Sequence, residues 1–255
     1  MVIVSHAMGT SSSRVRAPAG AATAAPALRV DVSKLSTILW VATSVILGLG
    51  ILREFVVQSI GTGTMLKDLR HFALDAEHSL PVWYEATLMA AAAGLLAVSA
   101  ALSHRHDPRN RLCWALLAAI FVLMSIDEAA AFHEVVMAPL RDAFHLTGLL
   151  HFSWVVVAAP LLVLLAIFYL PFLFRLPRRT AVRFATAGTV FVAGAFGLEF
   201  VGGYYVSIGG FEHPLYKIAA VSEECLETVG MTLFVTALLD HLVETSPSLQ
   251  IALRR

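Results

Sequence analysis

A chain of 255 residues, 58% hydrophobic and 14% charged, with a mean hydropathy of +0.77, is too apolar for a soluble domain and is expected to be a polytopic membrane protein. Its 18 basic and 18 acidic residues cancel, which removes the electrostatic basis for binding nucleic acid. Cys113 and Cys225 lie inside apolar stretches without metal-type spacing, so they read as small core residues rather than a disulfide framework.

Residues 1–30 are rich in Ala, Ser, Pro and Gly and lack the apolar core of a signal peptide; they read as a disordered cytoplasmic tail. A membrane span needs roughly 20 mainly apolar residues. Six stretches supply them, at 35–57, 82–103, 112–136, 150–174, 181–206 and 216–242. The expected fold is therefore all-α, a six-helix transmembrane bundle over residues 31–245 with a short cytoplasmic tail at 246–255. After the first span, Met65, Leu66, Leu69, Phe72 and Ala73 recur at helical spacing among charged residues, as in a helix lying in the membrane interface. Pro81 then starts the second span, with Trp83 and Tyr84 at the depth of an aromatic belt. In the fifth span Ala185, Thr189, Ala193 and Gly197 form a small-residue stripe, expected to let a neighbouring helix approach closely.

Basic residues set the expected orientation, because short loops rich in them stay cytoplasmic. Arg14, Arg16, Arg29 and Lys34 precede the first span, Arg105, Arg109 and Arg111 follow the second, Arg175, Arg178, Arg179 and Arg183 follow the fourth, and Arg254 and Arg255 end the chain. The alternate loops are poorer: Arg141 is alone in the third, Lys217 borders the fifth, and Arg53, Lys67 and Arg70 in the first are balanced by acids. Both termini are thus expected in the cytoplasm, with the protein in the inner (plasma) membrane.

On that topology Asp127, Glu128, Glu134, Glu199, Glu223, Glu224 and Glu227 all fall in the half of each span that faces away from the cytoplasm. A charged side chain in hydrocarbon costs at least about 2.5 to 3.5 kcal/mol on insertion scales, so such a set calls for cations, metal ions or protons as partners. Asp127 and Glu134, seven apart, share a face of a continuous third helix, whereas Glu128 and His133 point elsewhere. Glu199, about two turns from the outer end of the fifth span, and the i,i+4 pair Glu223 and Glu227 on the sixth reach the same depth, and His151 opens the fourth span on that side. Glu85, Glu134 and Glu224 read equally well as interfacial groups, and His145 and His151 as satisfied structural histidines. The whole set also reads as a hydrogen-bonded network that pins the bundle.

Helix-borne carboxylates with one or two histidines suit iron, manganese or zinc. The candidate ligands are Asp127, Glu128, Glu134, Glu199, Glu223, Glu227, His133 and His151. The repeated Glu-x-x-His of ferritin-like dinuclear sites is missing, as are the nucleophile elbow, the phosphate loop and the His-Glu-x-x-His helix. The same carboxylates would also suit acid/base work or proton coupling. In the cytoplasmic halves, the stretches 95–102, 112–123, 161–173 and 231–239 carry no Asp, Glu, Lys, Arg or His, which points to a pocket with one opening rather than a path across the membrane.

The stretch "SLPVWYEATLMAAAAGLL" from Ser79, "WALLAAIFVLMSIDEAAAFHE" from Trp114, "GAFGLE" and "EECLETVGMTLF" resemble an uncharacterised family of bacterial polytopic membrane proteins. Its marks fall on Pro81, Trp83 and Tyr84; on Ser125, Asp127, Glu128, His133 and Glu134; on Gly197 and Glu199; and on Glu223, Glu224 and Glu227. The resemblance implies that these acidic residues act as one unit and implies no reaction; Glu85 stands where such proteins are expected to carry a small hydroxyl residue. The leading expectation is an outward-facing carboxylate/histidine site that binds a divalent metal and acts on a lipid or other apolar substrate. A cation- or proton-coupled transporter and a non-catalytic subunit of a membrane complex are the alternatives. The lipid bilayer is the expected partner, together with other membrane proteins or a second copy of the chain.

Overall fold

The computed structural model describes residues 31–61, 65–103 and 108–246. Outside the described residues lie the expected N-terminal tail with Arg14, Arg16 and Arg29, the loop residue Arg105, and the C-terminal segment from 247 with Arg254 and Arg255. Among the described residues all regular structure is helical. Helix α1 is Val32–Ile60, α2 Leu80–Ser103, α3 Pro108–Ala130, α4 Phe132–Phe144, α5 Val155–Arg175, α6 Arg178–Val192, α7 Glu199–Gly209 and α8 Pro214–Thr245. Short 3-10 segments occupy Met65–Phe72 and Gly148–Leu150, and a π-helical segment, Ala193–Leu198, joins α6 to α7. Counting α6 to α7 as one, six helices are long and apolar enough to cross a bilayer. The chain is a multi-pass membrane protein with an all-α bundle.

Local chemistry explains the helix ends. Asp31 accepts hydrogen bonds from the backbone N–H groups of Ser33 and Lys34 at 3.1 and 3.3 Å, capping α1. Pro108 and Pro214 are the first residues of α3 and α8, where a missing N–H costs nothing.

In lipid the hydrophobic effect does not press helices together, so association depends on close packing and interhelical hydrogen bonds. Helix α8 is the axis: α1, α2, α6, the π segment and α7 all pack on it, and it is the most buried of the six spans. Its approach to α6 and the π segment is set by glycines. A Cβ on Gly230 would lie 2.7 Å from the Phe191 backbone N, and one on Gly194 would lie 2.9 Å from the Glu223 carbonyl oxygen. Hydroxyls then tie α1, α2 and α8: Thr43 Oγ1 lies 2.7 Å from Thr232 Oγ1 and 3.0 Å from the Tyr84 hydroxyl. Helices α2 and α3 run side by side, linked by the Ser125 hydroxyl donating to the Ala86 carbonyl at 2.8 Å. At the opposite end Trp114 packs edge-on against Phe172 and Phe184, and Arg179 and Arg183 of α6 pair with Glu244 and Asp240 of α8. Helix α5 stands apart, with Val155 and Phe172 its buried residues.

Four expectations are corrected. The third span ends at Ala130, because Ala131 turns left-handed (φ 50°) and the chain restarts as α4. The fourth span starts at Val155, so His151 lies before it rather than on it. The interface segment of the first loop is a 3-10 helix, and the side chains of Met65, Leu66 and Lys67 lie outside the described set. The stripe Ala185, Thr189, Ala193 and Gly197 is exposed and receives no helix among the described residues. Steps of four residues drift by about 40° each on a 3.6-residue helix, so the stripe turns away from any one neighbour. The face that is buried carries Ala187 and Gly194, seven apart.

Candidate functional site

Between α3, α5, α6 and α8 lies a cavity of about 1070 Å³. Its shape follows from the light packing of α5, which leaves a gap along one side of the bundle. Over most of its length the lining is apolar: Leu117 and Phe121 of α3, Leu165 and Phe172 of α5, Phe184 and Gly188 of α6, and Met231 and Phe234 of α8. Tyr169 also lines this shaft, its hydroxyl donating to the Cys113 carbonyl at 2.9 Å. At one end the lining changes character and carries nine acidic side chains: Asp75, Glu77, Asp127, Glu128, Glu134, Glu199, Glu223, Glu224 and Glu227.

The three α8 carboxylates reach this end because 100° per residue places Glu227 between Glu223 and Glu224 on the helix circumference. All three are half-buried, because the face they occupy looks onto the cavity. Glu199 is the first residue of α7, just past the π segment. The Trp154 indole N–H donates to its Oε1 at 2.5 Å, and its carboxyl lies within hydrogen-bonding reach of Glu223.

The break at Ala131 gives Asp127 a role the sequence did not reveal. The His133 backbone N–H donates to Asp127 Oδ1 at 2.8 Å, and His133 Nδ1 pairs with Oδ2 at 2.9 Å. Asp127 therefore holds the start of α4 and positions the His133 ring, and the expected common face of Asp127 and Glu134 does not exist. Glu134 is exposed at the cavity's edge. Glu128 lines the cavity within electrostatic reach of His133, Glu77 and Asp127. Glu77, in the connection before α2, has its carboxyl pushed above the ordinary range by burial, with Glu134 adding to the effect and His133 opposing it.

His151 does not join the lining. Its Nε2 lies 3.4 Å from Arg141 Nη1 and its ring packs against Phe152 and Phe211; burial and then the Arg141 charge push its imidazole below the ordinary range. Glu85, by contrast, is no interfacial group: it is 1% exposed and accepts from the Thr228 hydroxyl at 2.7 Å on Oε2, while Oε1 has no hydrogen-bond partner among the described residues. Its electrostatic neighbours are Glu128, Glu224 and Glu227. The register of α2 carried a signal for this, since Glu85 shares one face with Met89, Ala92 and Leu96, all of them buried. Asp75 and Tyr216 are further lining residues that the sequence reading passed over.

Aromatic rings stand among the acids. Trp154 lies 5.4 Å from Phe196 and 5.5 Å from His133, centroid to centroid, and Phe152 lies 6.3 Å from Tyr216. Among the described residues no three His, Cys, Asp or Glu side chains converge as the ligands of a metal ion. The acids are thus spread around one chamber rather than gathered on a point.

A family model described as a domain of unknown function, DUF8692, matches residues 35–242. No curated protein and no solved structure matches the chain. The matched region runs from the first span through the last and takes in every acidic residue of the chamber, so the chain belongs to the DUF8692 family of domains of unknown function.

Proposed function

We propose that this membrane protein holds a long, apolar, lipid-like molecule in the shaft and presents its polar end to the carboxylate/histidine chamber. The distribution of basic residues favours a chamber on the side of the membrane away from the cytoplasm. One observation carries the reading: a single cavity has both an acidic end and an apolar shaft. Ionisable groups at membrane depth are costly and mark binding sites or proton relays. An apolar cavity with a few polar groups at one end is the usual form of a small-molecule site. The donor types also suit iron, manganese or zinc, which would draw on Asp127, Glu134, Glu199, Glu223 and Glu227 with His133 as nitrogen donor. The side chains would have to close in around such an ion.

Gly188 supplies the test, because it lines the shaft and a Cβ there meets nothing within 4 Å. Gly188→Phe therefore introduces a large ring at the shaft wall from a backbone position whose Cβ meets no neighbour. Mass spectrometry of the protein purified in a non-ionic maltoside is expected to find a lipid-like molecule retained by the wild type and lost from Gly188→Phe. No retained molecule, or equal retention by both, would overturn the reading.

A further inference from the structure

We infer that the bound molecule is an amphiphile with an organic ammonium head, a conclusion that rests on the lipid-like reading of the shaft and names the chemistry of its polar end. Charge is the first reason. The chamber lining carries nine acidic side chains, the imidazole of His133 and no lysine or arginine, so a phosphate or carboxylate head would find no cationic side chain of that kind to pair with, whereas an ammonium head would find acceptors. The second reason is spacing. A small hard cation needs several ligands converging at 2.0 to 2.6 Å, and no three of the described side chains do so. A larger, diffuse cation is satisfied by carboxylates spread around it.

Ring faces are the third reason. Trp154, Phe196, Phe152 and Tyr216 line the same end as the carboxylates, and aromatic faces attract ammonium groups by their quadrupoles, as in the cages that recognise quaternary ammonium ligands. Glu85, which is not itself among the lining residues, adds to the acidic character behind them: it is 1% exposed, its Oε1 has no hydrogen-bond partner among the described residues, and Glu128, Glu224 and Glu227 are its electrostatic neighbours. A buried carboxylate oxygen without a donor needs a cationic partner or a proton. Shaft length fits a fatty chain. From Glu223 to Phe234 and from Glu199 back to Phe184, at about 1.5 Å per residue, the apolar run is roughly 16 to 22 Å. Half of a bilayer core is about 15 Å.

Four probes of equal chain length, hexadecyltrimethylammonium, hexadecylamine, hexadecanol and palmitate, are titrated into purified protein in maltoside micelles, with Trp154→Phe used to isolate the fluorescence response of the cavity. Both ammonium probes are expected to bind at least about tenfold more tightly than the alcohol, equivalent to about 1.4 kcal/mol, with palmitate weakest. Glu223→Gln and Glu227→Gln keep side-chain size and should bring the ammonium probes down to the level of the alcohol, while Gly188→Phe should weaken all four. Should either glutamine variant fail to fold, the wild-type ranking alone decides. Equal binding of ammonium and alcohol overturns the inference and leaves the lipid-like reading standing. Binding of none overturns both. Stoichiometric zinc, manganese or iron that excludes the ammonium probes overturns the inference in favour of a metal site.

Discussion

Replacing Gly194 by alanine adds one methyl group at the point where the π segment touches α8. That Cβ would lie 2.9 Å from the Glu223 carbonyl oxygen, 3.0 Å from Glu227 Cγ and 3.1 Å from Leu226 Cβ. All three neighbours belong to α8, so relief requires the segment to move off the axis helix by several tenths of an ångström. Overpacking of this kind costs about 1 to 3 kcal/mol, and the better helix propensity of alanine returns up to about 1 kcal/mol. The net loss is about 0 to 3 kcal/mol. Gly188→Ala is the matched control, since nothing lies within 4 Å of its Cβ and only the favourable propensity term applies. Thermal unfolding in one detergent, followed by the loss of monodisperse protein on heating, reads the difference. The expected result is a lower Tm for Gly194→Ala and an unchanged or higher Tm for Gly188→Ala. Equal Tm values for the two variants would refute the claim that Gly194 sets the spacing between α8 and the helix that carries Glu199.

Three further outcomes follow from the same geometry. Ala131→Gly removes the steric penalty of a left-handed residue with φ 50° and should raise stability by about 1 kcal/mol; a fall in Tm would show that the α3–α4 break is not strained there. Thr228→Val takes the donor from Glu85 and should cost about 1 to 3 kcal/mol, whereas Thr236→Val, whose hydroxyl bonds carbonyls of its own helix, should change little; equal effects in a thermal assay would remove Glu85 from the interior network. His151 has its imidazole pushed below the ordinary value of 6.5, so at pH values between the two the unfolded chain binds more protons than the folded one. Stability therefore falls as pH drops below about 6.5, and His151→Gln should flatten that part of the curve of Tm against pH; an unchanged acid limb would contradict the assignment.

The six spans were legible because continuous apolar length is a strong signal, and Pro108 and Pro214 mark two starts by simple chemistry. The break at Ala131 was not, since the run from Ser125 to Glu134 contains neither Gly nor Pro. It depends on Asp127 capturing the backbone and ring of His133, a competition that periodicity cannot see. The π segment had only a weak trace in Gly194 and Gly197, and it places Glu199 by adding residues to a turn rather than by a change in composition. For the carboxylates, sequence depth brought Glu199, Glu223 and Glu227 to the right end of the bundle. Which of the ambiguous ones turned inward depended on helix rotation: Glu85 and Glu224 face the interior side of their helices, Glu134 stays exposed, and His151 turns to Arg141. The apolar shaft had no sequence signature, because lipid-facing and cavity-facing leucines are the same residue. It is the light packing of α5 that separates them.

The central claim is that one cavity joins an acidic chamber to an apolar shaft walled on one side by α5. An experimental density map of the protein in a lipid nanodisc tests it most directly. The account predicts elongated density between α3, α5, α6 and α8, ending beside Trp154 and Glu223. A map in which α5 closes against α3 and α6, with the carboxylates of α3, α7 and α8 turned to lipid or walled off from one another, would contradict it.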